Sequence, residues 1–166
     1  MASKTDFTAE EWQLLLESVM LAGTAVTAAD PSGLWGTLKE GMATAASLRA
    51  AKAGPNALLA AIVADLETAG GRDAVRDALK RRFPNREVTG IKAQSIEGLR
   101  QAAMLVDSKA PQDSAEVKEW LQRIARKAAE ASNEGGFLGF GGVPVSAAER
   151  ATLVEIAAAL GTDLLA

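Results

Sequence analysis

Apolar side chains recur every three or four residues along most of the chain, which is the period of one helix face. The spacing is clearest over residues 12–26, 96–106 and 117–128. Alanine, the best helix former, is abundant, and strong strand signals are missing. The pattern predicts an all-α fold, a single-domain bundle of about seven helices spanning residues 1–166.

Short polar motifs mark where these helices begin and end. Thr8-Ala-Glu-Glu11 and Ser146-Ala-Ala-Glu149 are capping boxes, in which a hydroxyl and a glutamate satisfy the first N–H groups of a helix. Asp30-Pro31 predicts the end of the first helix, because proline disfavours helical geometry in the preceding residue. We expect Gly70-Gly71 to end the third helix and residues 84–94 to be irregular.

The two halves of the chain repeat one order of features. "TAADPSGLWGTLKE" and "MLVDSKAPQDSAEVKEW" each contain a helix end, an aspartate, a proline-containing turn and an amphipathic helix. A two-fold pseudo-repeat of residues 8–83 and 95–161 is one interpretation. The usual alternation of helices and turns in an all-α protein would produce the same similarity.

Composition restricts the function. The chain has no cysteine, histidine or tyrosine, so disulfides, thiolate metal sites, cysteine nucleophiles and imidazole bases are excluded. This predicts a non-enzymatic protein. A net charge of −3 gives no general attraction to nucleic acid. In the basic stretch of residues 70–87, Asp73 and Asp77 each precede a cation by three residues, which predicts a salt-bridged surface helix.

The N-terminus lacks the basic region and apolar run of a secretory signal, which predicts a cytoplasmic location. The longest apolar run, Ala57 to Ala64, is too short for a transmembrane segment. Peripheral contact with a membrane stays open.

The stretch "EGGFLGFGGVPVSAAER" places Phe137, Leu138 and Phe140 in a glycine-rich connector. It matches neither a Walker A loop nor a dinucleotide fingerprint. The three side chains either plug the bundle or form an exposed flap that contacts a ligand, a protein partner, a second copy of the chain or a membrane surface. Burial is favoured, because exposing three large apolar side chains costs several kcal/mol.

Acidic side chains cluster at the predicted helix ends: Asp30, Asp107, Asp113, Glu116 and Glu149. If the two halves pack together, some of them could form an oxygen-ligand site for Ca²⁺, Mg²⁺ or Mn²⁺. The alternative is that they are helix caps and turn residues.

The second half, "MLVDSKAPQDSAEVKEWLQRIARKAAEAS" followed by "VSAAERATLVEIAAALG", resembles the TerB-like domains of tellurite resistance. The resemblance covers about residues 95–161, and a weaker similarity to the same pattern lies near Asp30. It implies an all-α, stress-associated or membrane-adjacent accessory protein, which in some members binds a divalent metal. Asp30 and Asp107 match the family's helix-ending aspartates, and Asp113, Glu116 and Glu149 match its acidic helix starts.

The sequence therefore predicts a TerB-like module that works by binding. One alternative is a scaffolding or interaction module that uses the Phe137–Phe140 loop, and another is a small-molecule or lipid pocket between helices. Converging carboxylates would favour a metal, a cavity poor in acidic groups would favour the pocket, and an exposed apolar patch would favour the scaffold.

Overall fold

Helices joined by short turns make up the chain wherever the computed structural model describes it, namely residues 2–29, 47–84, 88–133 and 145–165. A short 3-10 helix (Lys4–Asp6) precedes α1. Residues 47–53 are helical, and we call this segment α2. The other helices are α1 (Ala9–Thr27), α3 (Ala57–Leu66), α4 (Ala69–Arg82), α5 (Val88–Lys109), α6 (Ser114–Asn133) and α7 (Ala147–Leu160). These ranges contain no strand, which confirms the predicted all-α fold.

Helix α1 lies at the centre of the bundle and packs against α3, α4, α5, α6 and α7. Its residues 15–19 are all buried, so this level of the helix is surrounded by protein on every side. The buried apolar side chains of the described helices form one continuous core. None of these helices is both long and apolar enough to cross a membrane.

The predicted inward faces are confirmed. The apolar positions expected on α5, α6 and α7 are all buried: Ile96, Leu99, Ala103, Val106, Val117, Trp120, Leu121, Ile124, Ala128, Leu153, Ile156, Ala157 and Leu160. The two capping boxes are also present, with Thr8 paired to Glu11 and Ser146 paired to Glu149.

Small residues bring α1 and α6 close together. Ala22 and Ala25 are fully buried, and a Cβ added to Gly23 would lie 4.0 Å from the Cβ of Ala128. Larger side chains at these positions would hold the two helices apart.

Two predicted boundaries were wrong. Gly70-Gly71 does not end a helix but lies in the first turn of α4, whose N-cap Thr68 accepts a hydrogen bond from the Gly71 N–H. A Cβ at residue 71 would lie 2.0 Å from the carbonyl oxygen of Asp65, so glycine is needed here for close backbone approach. Helix α5 begins at Val88, so the expected irregular segment of residues 84–94 is mostly helical.

A buried ion pair joins α1 to α4. Both carboxylate oxygens of Glu17 accept hydrogen bonds from the Arg82 guanidinium, at 2.6 and 3.0 Å. The Glu17 side chain is only 6% exposed and that of Arg82 19%. The two-point geometry compensates the desolvation of both charges, so neither residue can be removed alone without leaving a buried charge unpaired.

Gly98 of α5 faces this ion pair, and we expect Gly98→Ala to destabilise the fold. The added methyl would lie 2.4 Å from Leu21 Cδ1 and 3.0 Å from Arg82 Cζ, and both neighbours are held in place by packing or by Glu17. Overpacking of this kind costs about 1–3 kcal/mol. Urea unfolding measures the loss.

Gly90→Ala is the matched control in the same helix, because a Cβ there would meet only Gln94 Nε2, at an ordinary 3.5 Å. It should leave the free energy of unfolding unchanged or raise it by up to about 1 kcal/mol through helix propensity. Equal midpoints for the two variants would contradict the close packing of α1, α4 and α5.

Candidate functional site

Part of the predicted site lies outside the described residues. Asp30 belongs to residues 30–46, and Phe137, Leu138 and Phe140 belong to residues 134–144, neither of which is described. The plug and the flap therefore both stay predictions.

Two side chains of α6 bind the carboxylate of Asp107. Lys118 Nζ lies 2.6 Å from both carboxylate oxygens of Asp107, and the Ser114 hydroxyl donates to one of them. The Lys118 hydrogen bond, followed by that of Ser114, lowers the pKa of Asp107 below its ordinary value. The Lys118 side chain is only 11% exposed, so Asp107 compensates a largely buried positive charge.

The other described acidic residues also bind protein groups. Asp113 is buried and accepts the backbone N–H of Ala2 at 2.8 Å. Glu116 accepts a hydrogen bond from the Asn56 amide at 2.9 Å. Glu149 is buried and caps α7. These three side chains and Asp107 form no cluster.

The described ranges contain no group of three or more acidic, histidine or cysteine side chains that could hold a metal ion. A divalent metal site with three such ligands would need at least one residue outside these ranges. The metal hypothesis stays a prediction.

An acidic residue that the sequence did not single out ties the N-terminal segment to α3. Asp65 accepts hydrogen bonds from Lys4 Nζ at 2.7 Å and from the Trp12 indole N–H at 2.6 Å. The Lys4 bond is the main cause that lowers the pKa of Asp65, and the Trp12 bond adds to it. Both bonds go to Oδ2 of Asp65, and they tie the N-terminal segment and α1 to α3.

Two grooves lie on the surface formed by the described residues. The larger, about 350 Å³, lies between α1 and α4. Its polar groups mostly bind one another: Arg82 binds Glu17, and Arg81 donates to Gln13, which itself donates to the Ala74 carbonyl. This groove is the more open of the two and offers few groups to a ligand.

The second groove, about 270 Å³, lies between α2, α3 and α6, and we call it the Trp120 groove. Its apolar surface includes Leu59 and Trp120, which are 5% and 3% exposed. Its polar lining consists of Ser47, Asn56, Glu116, Arg123 and Lys127. An apolar surface with a few polar groups is the usual character of a small-ligand site.

Two hydrogen bonds hold the walls of this groove together. The Trp120 indole N–H donates to the Ser47 carbonyl at 3.3 Å, and Asn56 donates to Glu116. The Ser47 hydroxyl is buried and has no hydrogen-bond partner among the described residues. A buried hydroxyl without a partner is unfavourable, so this one calls for an explanation.

The cations of the groove are only weakly neutralised. Arg123 lies 3.5 Å from Glu119, but both side chains are half exposed, so the pair is weak. Lys127 forms no ion pair with any described residue.

The sequence did not single out this groove, although the α6 residues that line one side of it follow the helical period. Glu116, Trp120, Arg123 and Lys127 follow one another at intervals of three and four residues, which places them on one face of α6. The other wall comes from residues 47–59, and no local pattern connects it to α6.

Comparisons with known proteins add nothing to the functional prediction. A scan against protein-family models finds no match, and searches of curated proteins and of solved structures find none either. The resemblance to TerB-like domains therefore stays a prediction.

The lowered pKa of Asp107 predicts a contribution to acid sensitivity. The folded chain binds fewer protons at Asp107 than the unfolded chain, whose aspartates titrate near pH 3.9, so this stability is present above that pH and is lost as pH falls through the folded pKa. Because the Asp107 side chain is 55% exposed, water screens its pair with Lys118, and Asp107→Asn should lower the free energy of unfolding at pH 7 by no more than about 1 kcal/mol and flatten its decline below about pH 4. Urea unfolding from pH 7 to pH 2.5 measures both effects.

Asp77→Asn is the control, because this side chain is 60% exposed and lies 3.7 Å from Lys80. It should change the free energy of unfolding by less than about 0.5 kcal/mol. An Asp107→Asn profile parallel to that of the unsubstituted protein would contradict the role given to Lys118.

Proposed function

We propose that the chain is a non-enzymatic helical module that works by binding a small ligand in the Trp120 groove. The observation that carries the proposal is a half-open groove, more apolar than polar, with two weakly neutralised cations and a single carboxylate in its lining. Of the three hypotheses, a cavity poor in acidic groups favours the pocket between helices.

The size of the groove limits the ligand. A volume of about 270 Å³ corresponds to roughly nine water molecules at about 30 Å³ each, so the groove surrounds on the order of ten heavy atoms of a ligand. This is smaller than most cofactors and suits a metabolite or a short acyl chain.

The Ser47 hydroxyl supports the same proposal. Leaving a hydroxyl buried without a partner costs about 1–3 kcal/mol, and alanine would fill most of the same space without that cost. Such a group calls for a partner beyond the described protein atoms, such as an ordered water, an ion or a ligand.

Other hypotheses rest on residues outside the described ranges. The scaffolding alternative depends on Phe137, Leu138 and Phe140, and the TerB-like metal site depends on Asp30. A protein partner or homo-oligomer, a stress-associated role and a cytoplasmic location stay predictions, and no described contact adds to them.

Magnetic resonance of the indole groups tests the site directly. The chain has three tryptophans, and Trp120→Phe assigns the Trp120 N–H signal by its loss. Compounds of about ten heavy atoms that bind should shift this signal, because the Trp120 indole lines the groove. The Trp12 signal should stay in place, because its N–H is bound to Asp65 outside the groove.

Ala50→Leu should block this binding, since Ala50 is an exposed residue of α2 that lines the groove. Ala53→Leu is the matched control, because Ala53 is exposed on the same helix and does not line the groove. Both variants should keep the unfolding midpoint of the unsubstituted protein. Equal binding by the two would exclude the groove as the site.

A further inference from the structure

We infer that the ligand of the Trp120 groove is a small amphipathic anion, with one negatively charged head and an apolar tail of about eight carbons. The inference rests on the proposed function and names the ligand class for that site. It follows from the charge of the lining, the position of α3 and the apolar surface beside them.

The lining carries more positive than negative charge. Arg123 and Lys127 are its cations, and Glu116 is its one carboxylate. Glu116 already accepts a hydrogen bond from the Asn56 amide, which occupies part of its capacity as an acceptor. A net positive groove in a chain of net charge −3 favours an anionic ligand locally, against the average charge of the surface.

Helix α3 adds to this field, because its N-terminal end lines the groove. Asn56 is its N-cap and accepts the N–H of Leu59, and both residues belong to the lining. The first N–H groups of a helix have no acceptor within the helix, and the helix dipole places partial positive charge there. The α3 terminus and the two cations therefore favour the same sign of ligand charge.

The rest of the lining suits a hydrocarbon tail. Leu59, Trp120, Ala50 and Ala51 supply apolar surface, and the volume accommodates about ten heavy atoms, as in octanoate. A fully hydrated ion would gain nothing from this surface, whereas an acyl chain is stabilised by each methylene that it buries there.

Three probes of equal chain length test the charge preference: octanoate, 1-octanol and octylamine. Their dissociation constants are measured from the Trp120 indole signal at pH 7 and low salt, below the concentrations at which they aggregate. We expect octanoate to bind about fivefold more tightly than octanol, and octylamine to bind most weakly. Added salt should reduce the advantage of octanoate, because the cations are partly exposed to water.

Two substitutions with opposite expected effects on octanoate affinity distinguish a change of charge from a general disruption of the groove. Lys127→Gln should weaken octanoate binding about fivefold, while Glu116→Gln should strengthen it by a similar factor. The Glu116→Gln side chain still offers an acceptor to Asn56. Lys80→Gln is the control, because the Lys80 side chain is 66% exposed and lies outside the groove.

Equal affinity for octanoate and octanol, or tightest binding of octylamine, would overturn the inference and leave the proposed binding site standing. A loss of octanoate affinity in both Lys127→Gln and Glu116→Gln would also overturn it, because charge alone moves the two variants in opposite directions. If none of the three probes shifts the Trp120 signal at millimolar concentration, the inference and the proposed site both fail.

Discussion

The burial of α1 on all sides is the constraint on which the rest of the structure depends. At residues 15–19 this helix has no face toward water, so it must also bury Glu17. A buried carboxylate needs a partner with matching geometry, and Arg82 at the end of α4 supplies it. Gly98 then leaves room for α5 beside the pair. One charged residue in the central helix therefore constrains the positions of both α4 and α5.

Helix α6 connects this core to the candidate site. One of its faces is buried against α1 and includes Leu121, Ile124 and Ala128, while the adjacent face carries Glu116, Arg123 and Lys127 to the groove. Trp120 lies between these faces, packed in the core and in contact with the groove. Since the core fixes the rotation of α6, it also fixes which charges line the groove. The site therefore sits on a rigid element, which suits specific binding of a small ligand.

The acidic helix ends illustrate how far local motifs carry a functional prediction. Glu149 caps its helix, as its capping box predicted, because both partners lie within one turn. Asp113 instead binds the backbone of Ala2, and Glu116 binds Asn56. These partners are distant in sequence, and no local motif predicts them. Carboxylates near predicted turns therefore do not by themselves predict a shared metal site. Each carboxylate can instead bind a different partner in the folded protein.

The sequence by itself determined the helical class, the inward faces of α5 and α6 and the capped starts of α1 and α7. These features depend on residues three or four apart, and their energetics act within a single helix. Tertiary structure alone decided that Gly71 serves close packing against Asp65 and that Glu17 meets Arg82. It also decided that residues 47–59 face α6 to form the Trp120 groove. These contacts join residues far apart in the chain, so they depend on how whole helices pack and not on any local pattern.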